Sequence, residues 1–117
     1  MTLGVDVVDL DRFRQLLQRQ PGFAGRFFTD AERAHSARGG DPAASLAGTF
    51  AAKEAVMKAL QIVPAVAWAR RVRIERDETG RPRASVQGHA PVEVSISHDG
   101  PVAVAVAAAT GTRSGGP

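Results

Sequence analysis

The 117-residue chain has no cysteine, so it can build neither a disulfide framework nor a thiolate site, a composition suited to a reducing cytoplasm. Aromatic side chains are scarce as well: five phenylalanines, one tryptophan and no tyrosine. The arginines do not alternate with them along one strand, so a reading as a small basic nucleic-acid-binding domain lacks stacking platforms. No apolar run approaches the ~18 residues of a membrane span, and no basic stretch leads into a hydrophobic one as in a signal peptide. Neither membrane insertion nor export is expected. The sequence also contains no internal repeat.

What is present is a balanced chain with a slight excess of base. Fifteen Lys and Arg against twelve Asp and Glu give +3, which favours an acidic partner: a phosphorylated cofactor, an acidic protein or nucleic acid. A chain of this length forms one domain able to bury about two thirds of its unfolded surface. We assign that domain to residues 1–109 and expect 110–117, of tail composition, to be disordered.

The central stretch is Ala47 to Leu60, rich in Ala, Met, Glu and Lys and free of proline. Apolar residues at Leu46, Phe50, Met57 and Leu60 predict an amphipathic helix. Glu54 and Lys58, four residues apart, share one of its faces, a spacing that on most helices is only a solvated pair worth ~0.3–0.5 kcal/mol. Before it, Leu3 to Val8 reads as a β-branched strand interrupted by Asp6, a carboxylate that must be paired, metal-bound or turned to solvent. Asp9 can cap a helix reaching about Gln20, with Leu10, Phe13, Leu16 and Leu17 inward, before Pro21-Gly22 ends it. Thr29 and Glu32 have the spacing of a capping box, a structural role for Glu32, and Ser36 to Pro42 reads as a loop.

After a connector containing Pro64, alternation predicts strands around Val72–Glu75, Pro82–Gln87 and Val92–Asp99. Val102–Val106 is apolar enough to be covered on both faces. Helices followed by a meander of three or four strands make an α+β domain. His98 stands at a strand end beside a tight turn, where a lone histidine is ordinarily a turn residue; His35 and His89 stand no better. Two carboxylates without a neighbouring histidine or cysteine suit Mg²⁺, and a lysine one turn along could hold a phosphate. The chemistry alone thus sketches a Mg²⁺–diphosphate site of Asp6, Glu54 and Lys58.

Five motifs, quoted in order, go further: Gly4-Val5-Asp6-Val7-Val8-Asp9-Leu10-Asp11-Arg12-Phe13, Phe28-Thr29-Asp30-Ala31-Glu32, Phe50-Ala51-Ala52-Lys53-Glu54-Ala55-Val56-Met57-Lys58-Ala59-Leu60, Thr79-Gly80-Arg81-Pro82 and Val94-Ser95-Ile96-Ser97-His98-Asp99. Together they resemble holo-[acyl-carrier-protein] synthase, the small single-domain group of 4′-phosphopantetheinyl transferases. The resemblance implies an antiparallel α+β transferase fold, a cytoplasmic homotrimer with sites between protomers, and transfer of phosphopantetheine from coenzyme A to a serine of an apo acyl carrier protein. It implies Mg²⁺ on Asp6 and Glu54, with Glu54 a possible base and Lys58 on the diphosphate. Ser97 and His98 would approach the 3′-phosphate, and Gly80, Arg81 and Pro82 the adenine. Arg12, Arg14, Arg19 and Arg26 would meet the acidic carrier, Arg12 being the best match. The sequence departs from the family in one place: only His89-Ala90-Pro91 stand where members commonly carry a helix. An alternative reading is therefore a carrier-binding module impaired in catalysis.

Overall fold

The computed structural model describes residues 1–62 and 68–110. The Pro64 connector, and the expected tail from residue 111 on, lie outside the described residues. Among the described residues nine elements follow in order: β1 (Thr2–Asp9), α1 (Leu10–Arg19), α2 (Phe23–Phe27), α3 (Asp30–Ala37), α4 (Pro42–Leu60), β2 (Val72–Arg76), β3 (Pro82–Val86), β4 (Val92–Asp99) and β5 (Val102–Ala109). One antiparallel sheet runs β1-β5-β4-β3-β2, so the first strand joins the later meander by pairing with the last. The expected α+β class holds: the strand read at Leu3–Val8 is β1, and the meander after the helices has four strands. No helix among the described residues is long and apolar enough to cross a membrane.

The caps read from the sequence form. Asp9 accepts from the Arg12 N–H to start α1, and Thr29 and Glu32 close a reciprocal capping box on α3. The Phe23–Phe27 segment, which carried no helix signal, makes a short helix. It brings Phe23 and Phe27 against Phe13 and Phe50, so that all five phenylalanines form one cluster between α1, α2 and α4.

The α4 helix differs from the expected amphipathic one. It begins at Pro42, and Ala47, Ala51, Ala52, Ala55, Val56, Met57 and Ala59 are all buried, around more than one face. The sheet covers one side and α1 and α3 the others, which an alanine-rich surface permits because its neighbours can approach closely. The sheet answers with residues equally small: Gly4 on β1 and Ala103, Ala105, Ala107 and Ala109 on β5. A Cβ on Gly4 would lie 1.9 Å from the Ala55 carbonyl oxygen and 2.8 Å from the Ala59 nitrogen. Backbone meets backbone here, so Gly4→Ala must push β1 off α4. We expect it to cost about 3 kcal/mol, the upper end for overpacking, read as a lowered urea midpoint.

Strand β5 corrects a second expectation. Ala103, Ala105, Ala107 and Ala109 face α4, but Val102 and Val106 remain exposed, because the helices form a layer on only one side of the sheet. Val106 pairs with Val5 of β1. With Leu3, Val5 and Val7, exposed at 66%, 53% and 62%, they make a continuous apolar outer face.

Asp41 caps α4 by accepting from the Ala44 N–H, and both its oxygens accept from the Arg14 guanidinium at 3.0 and 2.8 Å. These bonds, Arg14's first and Ala44's next, hold its carboxyl at about 2 rather than the ordinary 3.8. The unfolded chain takes up this proton first as pH falls. The stabilisation is therefore whole above about pH 4 and disappears between about pH 4 and 2. In urea titrations across that range, Asp41→Asn is expected to flatten the acid limb; coincident limbs would refute the linkage.

Candidate active site

Alternation on β1 turns Gly4, Asp6 and Val8 toward α4 and Leu3, Val5 and Val7 away from it. Because Gly4 lets the strand lie against Ala55, Asp6 comes to rest over the turn of α4 that carries Glu54 and Lys58. The Lys58 ammonium donates to Asp6 Oδ1 and to the Val5 carbonyl, both at 3.0 Å. The Asp6 side chain is 16% exposed and that of Lys58 56%. Glu54 is half-buried, and its Oε2 is buried without a hydrogen-bond partner among the described residues. Burial raises its pKa first, the negative charge of Asp6 raises it further, and Lys58 opposes both.

An unpaired buried carboxylate oxygen beside a second carboxylate is poorly arranged for stability and well arranged for a hard cation. Among the described residues no group of three or more His, Cys, Asp or Glu could hold a metal. Asp6 and Glu54 thus offer two oxygen-donor side chains, the partial set that Mg²⁺ accepts when phosphate and water complete its shell.

The remaining candidates divide. His98 shares the inner face of β4, but it is exposed and aligned with Ala103 and Val8, roughly 12 Å from Asp6 across two strands. Ser97 points to the outer face. The hairpin carrying Gly80, Arg81 and Pro82 is organised by Asp77, whose Oδ1 accepts from the Thr79 and Arg81 N–H groups. It joins β2 to β3, and β3 lies three strand positions, roughly 14 Å, from β1. One chain therefore assembles Asp6, Glu54 and Lys58 and holds the other candidates apart. Arg12 and Arg26 are exposed on α1 and α2, whereas Arg14 is engaged by Asp41.

Residues 2–109 match the profile described as the 4′-phosphopantetheinyl transferase superfamily. The chain belongs to this superfamily. It is 44% identical over 115 residues to the holo-[acyl-carrier-protein] synthase of Chlorobaculum tepidum, covering 92% of this chain and 96% of that protein. The Leifsonia xyli synthase is 42% identical, with 88% and 90% covered. Among solved structures, the Neisseria meningitidis holo-[acyl-carrier-protein] synthase superposes with a TM-score of 0.80 at 32% identity, over 92% of this chain and 96% of the other. The Helicobacter pylori synthase, solved in complex with coenzyme A, gives 0.80 at 26% identity, over 92% and 99%.

In this phosphopantetheinyl transferase superfamily member one polar residue escaped the sequence reading. Lys53, immediately before Glu54, is completely buried. Its ammonium lies 2.7 Å from Glu32 Oε1, donates to the carbonyls of Phe27 and Ala69, and sits over the Phe27 and Phe28 rings. Glu32 also accepts from the Thr29 and Ile74 N–H groups. The pair ties α3, α4, β2 and the segment before β2 behind the site. A lysine flanked by Ala51, Ala52, Ala55 and Val56, with nothing polar a turn away on its face but Thr49, was the available signal.

Proposed function

We propose that this chain is a holo-[acyl-carrier-protein] synthase, moving 4′-phosphopantetheine from coenzyme A to a serine of an apo acyl carrier protein. The observation that carries this reading is the meeting of Asp6, Glu54 and Lys58, with a Glu54 oxygen left unpaired, in a chain so similar to named synthases over nearly its whole length. The serine oxygen bonds to the β-phosphorus of coenzyme A. The bond from that phosphorus to the bridging oxygen breaks, and adenosine 3′,5′-bisphosphate leaves with the electron pair. Glu54, its proton affinity raised by burial and by Asp6, takes the serine proton directly or through one water. Lys58 spends two donors on Asp6 and Val5 and, half exposed, keeps a third for the diphosphate. Asp6 and Glu54 would hold Mg²⁺, which when bound supplies neutralising charge to the leaving bisphosphate.

The separation of the remaining candidates supports a site completed by a second copy of the chain. Gly80, Arg81 and Pro82 would receive the adenine, and Ser97 and His98 the 3′-phosphate, each from the protomer whose sheet edge faces Lys58. The apolar outer face of β1 and β5 provides the surface for a homotrimer. Val106→Glu is expected to convert three protomers to one in sedimentation velocity; a monomeric wild type would sink the trimer. Arg12 and Arg26 meet the acidic carrier, with Arg14 secondary because it serves Asp41. The reaction is placed in the cytoplasm.

The decisive test is the intact mass of apo carrier proteins incubated with the chain, coenzyme A and Mg²⁺, with and without chelator. A gain of one phosphopantetheine, abolished by chelation, is the expected result. No gain on any of several carriers, from a folded protein that still binds coenzyme A, would establish the impaired binding module instead.

A further inference from the structure

Away from the carboxylates, a cavity of about 240 Å³ opens between α3 and β2. His35 in the last turn of α3, Arg38 at its C-cap and Arg76 at the end of β2 converge on it. The end of α3 explains two of these basic residues, since the carbonyl pole of a helix favours positive charge. It does not explain the third. Arg76 comes from another element and, by alternation with Val72 and Ile74, points inward. Among the described residues its guanidinium donates only to the Gly80 carbonyl, at 3.3 Å.

Among the described residues no carboxylate lies within ion-pair distance of any of the three. Glu75 lines the same cavity, but its neighbours on the strand show that it belongs to the opposite, exposed face. The Glu32 carboxylate is committed to Lys53, Thr29 and Ile74. Thr49, a small wall, uses its hydroxyl hydrogen on the Ser45 carbonyl. The arginines also oppose a charge on the histidine: burial, then the charges of Arg76 and Arg38, lower the His35 pKa, and burial lowers that of Arg76. An exposed and a half-buried arginine that converge on a half-buried imidazole, with no ion-pair partner among the described residues, are what an anion from solution would neutralise. The cavity is smaller than the ~300 Å³ at which drug-sized ligands begin, which suits a tetrahedral oxyanion rather than a nucleoside.

We propose that His35, Arg38 and Arg76 form an anion site between α3 and β2 that takes a phosphoryl group. The site lies on the side of α4 away from Glu54, since Thr49 and Glu54 are five residues and therefore more than a third of a turn apart. It adjoins the Gly80–Pro82 hairpin through the Arg76 bond, so its phosphoryl group comes either from the 3′-phosphate of coenzyme A, which would then lie here and not on Ser97 and His98, or from free phosphate.

The test is a titration with inorganic phosphate against sodium chloride of equal ionic strength, followed by the His35 ring resonances. Phosphate is expected to move the His35 midpoint upward where chloride does not, and Arg76→Gln and Arg38→Gln to weaken phosphate binding by about tenfold each. Arg38 is exposed, so its variant keeps the test readable should Arg76→Gln fold poorly. This titration does not depend on the transferase reading. If transfer is active, a rise in KM for coenzyme A but not for its 3′-dephospho form in Arg76→Gln upholds the site and names the 3′-phosphate as its occupant; equal KM values with the phosphate response intact uphold it for free phosphate. The proposal is overturned if phosphate leaves His35 unmoved, or moves it equally in both variants.

Discussion

Lys53→Met is expected to cost about 3–5 kcal/mol, the range for breaking a buried ion pair from one side. That is a large part of the ~5–15 kcal/mol that holds a typical domain together. Methionine fills the lysine's volume, so the loss is electrostatic rather than a cavity: Glu32 stays buried with one oxygen lacking its cation, and the Phe27 and Ala69 carbonyls lose their donor. Adding Glu32→Gln to Lys53→Met should return part of the loss by removing the stranded charge. It cannot return all of it, because the amide has one acceptor oxygen where the carboxylate serves both the Thr29 and Ile74 N–H groups. Urea unfolding of the two single variants and the double gives the coupling directly. Additive losses would show that the pair is two independent groups.

The second large effect is on chemistry. Glu54→Gln keeps shape and removes charge, and the transfer rate is expected to fall roughly 10³-fold, the scale of losing a positioned base. Stability should move the other way or stay level, since the carboxylate is desolvated, faces Asp6 and has an unpaired oxygen. Opposite signs in the two measurements are what distinguish a working residue from a structural one. A variant that loses both together would make Glu54 a packing residue, and one that transfers at full rate would remove it from the site while the activity stood.

The local devices were readable from the residues themselves. Asp9, Thr29 and Glu32 announce their caps by identity and spacing, and strict alternation from Val92 to His98 gives β4 both its extent and its faces. Asp6 stood out as a carboxylate within a valine strand, and the structure sets it on Lys58. What local reading lacked was tertiary environment. The small residues of α4 look like helix propensity in sequence, but in space they admit a sheet at backbone contact, visible only once Gly4 is laid on Ala55. Lys53 and Lys58 differ by five positions in one helix, yet one is entombed and the other half in water. An apolar run such as Val102 to Val106 tells how hydrophobic a strand is and not how many layers cover it. Arg14 read as a free cation because its partner lies 27 residues away.

The pairing of β1 with β5, in register from Thr2 opposite Ala109 to Asp9 opposite Val102, also has a kinetic side. During synthesis Asp6 is made early, but its strand has no strand partner until nearly every other described residue has followed. Edge closure of this kind has high contact order and waits on loop entropy. The sheet that fixes the strand of Asp6 in register is therefore expected to close last, after β5 has been made. A circular permutant joining residue 109 to residue 2 through a short linker would make that closure local, and it should fold faster than the natural order.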